Sequence, residues 1–590
     1  MTKQLIGVLI MLCMFFANCQ NDESNSIFYE ISNNLSASFE SNSQWYLNDT
    51  EFGDFEEKEH LRTTNFLRLD YNFNENFSAG IQLESYAPEN LLNNSKLYDK
   101  EFGIATYYIR YKTKKIDFTL GNFYEQFGSG LILRAWEDRN LGVNSALFGA
   151  RLIYYPIDII KITSLYGKQR KGFELSDGSI FGLDSEIDMS NAFKTTSSTN
   201  LVLGLSYVSK KEDYDIHQNE SVSEIPDLVT AFSARLDFSH NNFYSNFEFI
   251  RKSKDIRLNN TIPNDVTYSI AETFEGNSLS WSAGYSQKGF GLSYNFRRLE
   301  NMRFFIERGF ANAINNPTNQ LSINYLPALN KQHDYTLANI YLYQSQPGLI
   351  IENLENPIVK SGEIGHFIDL FYNFKKGSVL GGKYGTKINF NMSYWASLEN
   401  NIENDLPNDF VTNDELTYET EFLNFKNKLY SDYNLEVRKK WNRNMSSIFT
   451  YINLFYDKSY LESKNNGKKV RAWIGIAEST YKFSKGKSFR VELQHLSTND
   501  DARNWMGGTA EYFFNSNFGI YLNDSYNYEE SIVDQDTKIH FFNIGGSYVK
   551  GASRIALNYG RQRGGLLCVG GICRPVSPNT GLTLNFTTSF

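Results

Sequence analysis

The sequence predicts an all-β protein: a single large transmembrane, antiparallel, up-and-down β-barrel of about 26 strands (22 to 26), built from residues 35–590 with no plug domain. Three observations carry this. Short runs of alternating apolar and polar residues recur along the chain, joined by tight polar turns and long polar connections. Aromatic residues make up 15%, with 46 Phe and 38 Tyr against only 11 Pro. After Ala17 no apolar run is long enough for a membrane helix, and mean hydropathy is -0.44. Strands that alternate lipid-facing and lumen-facing residues escape such an average. A soluble core rarely serves a chain this long, whereas a barrel grows with its strand number. The net charge of -9 and pI near 5.5 exclude nucleic acid as the expected partner.

The first residues, MTKQLIGVLIMLCMFFANCQ, place Lys3 before an apolar run from Leu5 to Ala17. That is the pattern of a cleaved secretory signal peptide over residues 1–20, and it implies an oxidising compartment. Residues 21–34 are expected to be a short periplasmic segment. Cys19 sits in a poor lipidation motif, because Asn18 stands where a small residue belongs; ordinary cleavage is the favoured reading.

From residue 35 the repeating unit is a hairpin. In FLRLDYNFNENFSAGIQLESY (66–86), Leu67, Leu69, Tyr71 and Phe73 alternate with polar residues, an Asn-rich turn follows, and Phe77, Ala79, Ile81 and Leu83 alternate again. Equivalent turns are read at Lys112–Lys115, Pro156–Asp158, Ser239–Asn242, Lys288–Gly289, Asn442–Asn444, Ser484–Lys487, Asn515–Asn517 and Lys550–Ser553. Longer polar segments separate these hairpins, at 48–60, 87–102, 127–148, 211–228, 253–276, 300–318 and 397–427. Tight turns on the periplasmic side and long loops outside is the outer-membrane pattern. The threading works if the first strand runs outward from Leu35 and if 178–189 and 199–210 form a down–up pair. Alternation begins too soon after the signal peptide for an N-terminal plug.

The last strand, GLTLNFTTSF, sets Leu582, Leu584, Phe586 and Phe590 on one face and Thr583, Asn585, Thr587 and Ser589 on the other. A two-faced strand with a terminal aromatic is expected to be read by the barrel-insertion machinery. Upstream, Ile555, Leu557 and Tyr559 are followed on the same side by Arg561 and Arg563; Ile162 and Tyr166 are likewise followed by Lys168 and Arg170. These four cations are candidates to snorkel to phosphates of outer-leaflet lipopolysaccharide, though generic rim charge is the favoured reading. Near the end stands CVGGIC. Gly570-Gly571 suits a two-residue primed turn, which pairs Val569 with Ile572 and sets Cys568 opposite Cys573 at about 4.5 Å between Cα atoms. That spacing predicts an intramolecular disulfide on an outer hairpin; a metal site lacks His or acidic partners nearby, and a redox motif would need CxxC.

Three stretches carry a resemblance: GNFYEQFGSGLILRAWEDRNLG (121–142), INYLPALNKQHDYTLANIYLY (323–343) and YGRQRGGLLCVGGICRPV (559–576). Together they resemble a Bacteroidota outer-membrane barrel family catalogued as a domain of unknown function. A weaker likeness, mainly in FGSGLILR, is to capsule-assembly barrels of the Wzi type. The resemblance implies a barrel in the bacterial outer membrane and implies no reaction.

No GxSxG, HExxH, Walker A or GxGxxG motif stands in a suitable context, so no enzyme and no cofactor are expected. The seven His are scattered without metal-ligand spacing. Asp177, Asp184, Glu186 and Asp188 lie close together, and an acidic lumen wall is a simpler reading than a Ca²⁺ site. The expected function is a pore or transport barrel of unknown cargo. The alternative is a non-transporting scaffold, or a secretion or polysaccharide-assembly component docked to a lipoprotein or another barrel.

Overall fold

The computed structural model describes residues 33–56, 60–91, 101–192, 198–213, 226–255, 258–259, 268–269, 273–307, 321–348, 350–352, 358–398, 400–403, 417–462, 468–529 and 538–590. The signal-peptide reading and Cys19 fall outside these residues.

Twenty-four strands form one antiparallel sheet in which each pairs with the next. They are β1 (Leu35–Leu47), β2 (Leu61–Asn72), β3 (Phe77–Ser85), β4 (Phe102–Lys112), β5 (Ile116–Phe123), β6 (Leu147–Ile157), β7 (Ile160–Lys171) and β8 (Glu174–Asp188). Next come β9 (Thr199–Lys211), β10 (Leu228–His240), β11 (Phe243–Asp255), β12 (Phe274–Gln287), β13 (Phe290–Glu300), β14 (Gly362–Phe374), β15 (Thr386–Ser397) and β16 (Asn427–Lys440). The rest are β17 (Met445–Asp457), β18 (Lys469–Ser484), β19 (Lys487–Thr498), β20 (Trp505–Phe513), β21 (Phe518–Asn527), β22 (His540–Lys550), β23 (Ser553–Gln562) and β24 (Asn579–Ser589). β24 pairs with β1 from Ser38↔Ser589 to Leu47↔Thr580, so the sheet closes on itself. The count lies inside the expected 22 to 26 and below 26 itself. One reason is the span 301–361, which joins β13 to β14 without adding a wall strand.

The tight turns gather at one end, as the threading requires, and β8 and β9 form the down–up pair. Local chemistry explains these turns. At Asn74, Asn442 and Asn515 the side-chain oxygen accepts the backbone N–H groups two and three residues on. At Gly289 and Gly486 φ is +86° and +79°, the left-handed region a two-residue turn needs. The same end carries four Tyr-X-Phe pairs in edge-to-face contact: Tyr71–Phe73, Tyr372–Phe374, Tyr481–Phe483 and Tyr512–Phe514, with centroids 4.7–5.0 Å apart. They form an aromatic girdle where amphipathic rings favour a membrane interface.

The outer wall is an apolar belt in which Leu205, Ile109 and Leu493 stand more than half exposed. Within β24, Leu582 and Leu584 belong to this belt; Phe586 packs on Phe39 of β1 with centroids 6.1 Å apart. Phe590 exchanges two backbone hydrogen bonds with Ala37. One patch of the outer wall is covered by protein instead. There Phe425 packs on His366 and Tyr394 with centroids 6.2 and 6.4 Å apart, and the Phe422 carbonyl accepts from the Arg298 guanidinium at 2.9 Å. Leu584 sits midway along the closing strand, so Leu584→Arg is expected to cost about 2–4 kcal/mol of barrel stability. The urea midpoint of the heat-modifiable, folded band should fall accordingly, whereas Thr583→Asn on the lumen side should leave it nearly unchanged.

Candidate functional site

The lumen is filled at the end where the long connections lie. Two connections fold inward to fill it. The first, 124–146, joins β5 to β6 and contains two short strand pairs, Gln126–Phe127 with Leu133–Arg134 and Glu137–Asp138 with Val143–Asn144. The second joins β13 to β14 and is described over 301–307 and 321–348. Phe127, Leu131, Ile132 and Leu133 of the first pack with Met302, Phe304, Ile306, Leu321 and Ile323 of the second, against wall residues such as Leu165, Ile180, Val208 and Ile250. Beyond Leu326 the second connection crosses to the opposite wall. There Leu337, Tyr341 and Tyr343 pack on Trp395, Tyr430, Leu454, Ile474 and Trp505. The expectation of no plug domain considered only a domain ahead of the first strand; the plug is made of internal connections instead.

An irregular segment inside a barrel must still satisfy its backbone. Wall side chains do this. Lys210 Nζ donates to the Phe305 carbonyl at 2.7 Å, Lys252 Nζ to that of Arg303 at 3.1 Å, Gln169 Nε2 to that of Ser322 at 3.0 Å and Trp395 Nε1 to that of Leu329 at 3.0 Å. Gln494 Oε1 accepts from the Leu337 N–H at 2.9 Å. The tightest anchor is Glu363 at the start of β14. It is fully buried, pairs with Arg297 at 2.6 Å, and accepts from the Tyr343 hydroxyl, the Ser345 hydroxyl and the Gln346 N–H. A second pair, Arg170–Glu84 at 2.5 Å, is buried beside the 137–144 hairpin with the Tyr86 hydroxyl on the same carboxylate. Sequence reading missed Arg297, Glu363, Lys210 and Gln494, whose partners lie in a segment it did not place in the lumen.

The Cys pair is where the turn chemistry puts it. Gly570 and Gly571 have φ of +58° and +84°, Val569 pairs with Ile572, and Cys568 is disulfide-bonded to Cys573 across a Cα–Cα distance of 4.0 Å. The hairpin docks on the plug. The Gly571 carbonyl accepts from the Ala328 N–H at 2.9 Å, and the Gly570 carbonyl from the Tyr325 hydroxyl at 2.6 Å.

The proposed lipopolysaccharide contacts need correction. Arg561 gives its guanidinium to Asp49 of the β1–β2 connection, with Nη2–Oδ2 at 2.8 Å, and Thr580 donates to the same carboxylate. Burial acts to raise the Asp49 value, but the hydrogen bonds from Thr580, Glu51 and Arg561 outweigh it and hold the carboxyl below its ordinary range. Arg563 is half-buried over the Trp505 ring and donates to the Asn339 carbonyl at 3.2 Å; desolvation lowers its guanidinium. Arg170 faces inward because the β7–β8 register shifts between Lys168 and Arg170, which breaks the alternation the reading assumed. Lys168 alone of the four keeps an exposed position beside outward-facing Tyr166. In the acidic cluster, Asp184 pairs with Arg235 at 2.7 Å and Glu186 with Lys161 at 3.0 Å, as lumen-wall ion pairs. Among the described residues no group of three or more His, Cys, Asp or Glu is placed to hold a metal ion.

Toward the tight-turn end the lumen is open and polar. Ion-pair ladders line it: Arg110–Asp117–Arg151 on one side, Arg438–Glu436 and Arg490 with Glu478, Glu492 and Glu511 on the other. The plug presents Lys331, His333, Asp334 and Tyr335 to this vestibule, with His333 Nε2 3.1 Å from Asn434 Oδ1. The arrangement is a cup, with the two connections packed into one end.

Two outcomes follow. Glu363→Ala leaves Arg297 buried without its carboxylate, a loss of about 3–5 kcal/mol; protease cleavage within 321–348 should rise sharply while the barrel stays heat-modifiable. Burial lowers the His333 imidazole below 6.5, against the hydrogen bond to Asn434 and the nearby Glu436 and Asp334, and with the help of Lys331. A depressed imidazole contributes fully above the unfolded value and loses that contribution as pH falls from 6.5 through the folded value. Cleavage within 321–348 should therefore quicken between about pH 7.5 and about pH 5. His333→Gln should flatten that dependence.

A family model, described as a family of unknown function (DUF6029), matches residues 1–590. No curated protein matches the chain. Solved structures similar to it include the siderophore receptor PirA from Pseudomonas aeruginosa, at 8% identity, covering 94% of this chain and 80% of that one, with a TM-score of 0.40. The ferric enterobactin receptor PfeA from the same organism is 10% identical, over 94% and 81%, with a TM-score of 0.42. The translocation pore of the P pilus usher PapC is 9% identical, over 94% and 99%, with a TM-score of 0.36. Likeness at this level says nothing of cargo.

Proposed function

The chain belongs to the DUF6029 family, which carries no activity with it, and we propose from its geometry that the protein is a gated transport barrel of the bacterial outer membrane, closed at rest. The signal-peptide pattern, the apolar belt and the aromatic girdle support that location, with the tight turns in the periplasm and the plugged end outside. The observation that carries the reading is the plug. A cylinder of 24 strands encloses far more space than its own side chains fill. This one spends two connections, two apolar cores and a buried ion pair on closing one end, while the periplasmic end stays open and hydrated. An open porin has no use for such anchors. A gate does, because the buried charges hold the closed state only while their partners are in place.

A non-transporting assembly component remains the second reading, favoured by the number of wall side chains committed to holding the plug. Planar-bilayer recording separates them. Wild-type protein should show no stable large conductance, and deletion of residues 321–348 should produce one. Stable large conductance from the wild type overturns the closed barrel. A folded, still-silent deletion variant removes transport and leaves the scaffold.

A further inference from the structure

At the tight-turn end the rim is not evenly charged. Three successive connections there, β14–β15, β16–β17 and β18–β19, concentrate cations. Residues 375–387 hold four lysines, 439–444 hold two lysines and Arg443, and 482–487 hold three lysines, with no Asp or Glu in any of the three stretches. Other turns differ: β2–β3 carries Glu75, β6–β7 carries Asp158, β10–β11 has Asn241 and Asn242, and β4–β5 sets Lys112 against Asp117. The chain as a whole is acidic, at -9, so composition does not account for the cluster. Glu436 and Glu478 of the same strands face the lumen, where they pair with Arg438 and Arg490.

The first of these connections is also shaped. Over 375–385 the chain folds on itself. The Ser378 hydroxyl donates to the Lys375 carbonyl at 2.6 Å and accepts from the Gly381 N–H at 3.0 Å, and the Gly382 N–H donates to the Ser378 carbonyl at 2.8 Å. Lys439 fixes where this turn lies. On β16 it alternates in register with outward Tyr433 and Leu435, so its side chain is on the lipid face. Its ammonium donates to the Leu380 and Gly381 carbonyls at 3.3 and 3.5 Å and to the Thr386 hydroxyl at 2.7 Å. The tip is therefore held on the outer side of the rim. There Val379 is 99% and Leu380 63% exposed. The outer face beside it is interfacial in kind. It carries Tyr372–Phe374, Tyr481–Phe483 and half-exposed Trp441, whose indole N–H donates to Ser447 at 2.9 Å. Lys487 Nζ stands 5.9 Å from the ring centroids of both Phe483 and Tyr512.

We infer that the outer side of this arc binds anionic phospholipid of the periplasmic leaflet. Val379 and Leu380 enter the leaflet beside the barrel, and the lysines of the three connections meet headgroup phosphates. Two physical effects favour that partner. An apolar tip held at a membrane surface gains by leaving water. Lysine ammoniums on flexible stems meet phosphates as point charges, and each cation near an anionic surface adds to the attraction. A soluble partner would meet a tip directed away from the wall, whereas Lys439 holds this one against the lipid face. The inference rests on the outer-membrane location and orientation read above and is independent of the closed lumen.

Full-length protein in phosphatidylcholine vesicles tests this, with spin-labelled phosphatidylglycerol and spin-labelled phosphatidylcholine as probes. The motionally restricted fraction at the protein should favour phosphatidylglycerol by about threefold at low salt and approach parity at high salt. Lys375→Gln, Lys376→Gln and Lys383→Gln together should remove most of that preference. Lys112→Gln, Lys114→Gln and Lys115→Gln, the same change of charge at β4–β5, should leave it intact. A fluorophore on Val379→Cys should be quenched by lipids brominated on their acyl chains, and one on Ala552→Cys, at the β22–β23 turn, should not. Heat-modifiable migration confirms that each variant is folded. Equal selection of the two lipids overturns the phosphate-binding surface. A fluorophore at 379 that stays in water overturns the insertion and assigns the tip to a soluble partner. Absence of a restricted fraction for either lipid overturns the membrane-spanning barrel itself, and labelling of Val379→Cys by an impermeant maleimide in intact cells overturns its orientation.

Discussion

Hydrocarbon supplies no hydrogen bonds, so every N–H and C=O that meets it must be paired within the protein. The pairing of β24 with β1 satisfies that demand for the wall, and the rest of the architecture follows from it. A closed wall of 24 strands must alternate apolar and polar residues, which yields the belt outside and a wet interior. A lumen of that width cannot be closed by wall side chains, so closure falls to chain segments with little regular structure. Those segments bring unpaired backbone groups inside, and the demand returns. Lys210, Lys252, Gln169, Trp395 and Gln494 answer it, each extending from the wall to one plug carbonyl or N–H.

Charge within the barrel follows the same division. Where the plug excludes water, cations and carboxylates appear as closed pairs such as Arg297–Glu363 and Arg170–Glu84, which are stable only while both members are present. Toward the tight-turn end they form branched ladders, in which Arg490 faces Glu478, Glu492 and Glu511. The plug is thus held by closed, interdependent pairs, whereas the vestibule wall shares a cation such as Arg490 among several carboxylates.

The wall was legible because one physical rule acts on each of its strands. A slip of one residue would put Leu557 or Leu584 into water and Asn558 or Thr583 into lipid, so the alternation is strict. Turns were legible where a single residue decides them, as Asn74, Asn442 and Gly570-Gly571 do. The plug was not legible, because residues such as Ile323, Tyr325, Leu337 and Tyr341 resemble wall residues in kind and differ only in having no fixed period. Pro327, at the centre of that stretch, was the available signal. The cations misled for a similar reason. Arg170 follows Tyr166 at even spacing, but a register shift changes its face, and Arg561 is claimed by a carboxylate from a remote connection. Fold, turns and disulfide come from short-range rules; the closed lumen depends on contacts across it.

The position of the Cys hairpin has a consequence for the order in which the barrel is assembled. It lies directly before β24, the strand that seals the cylinder, and its backbone is bonded to the Ala328 stretch inside. One order satisfies both contacts simply: the inner segments are gathered while the sheet is still an open curl, and the last hairpin is laid over them as the seam comes together. Closure of the cylinder and closure of its lumen are then one event, and a chain that fails to seat its interior is left with an unsealed edge.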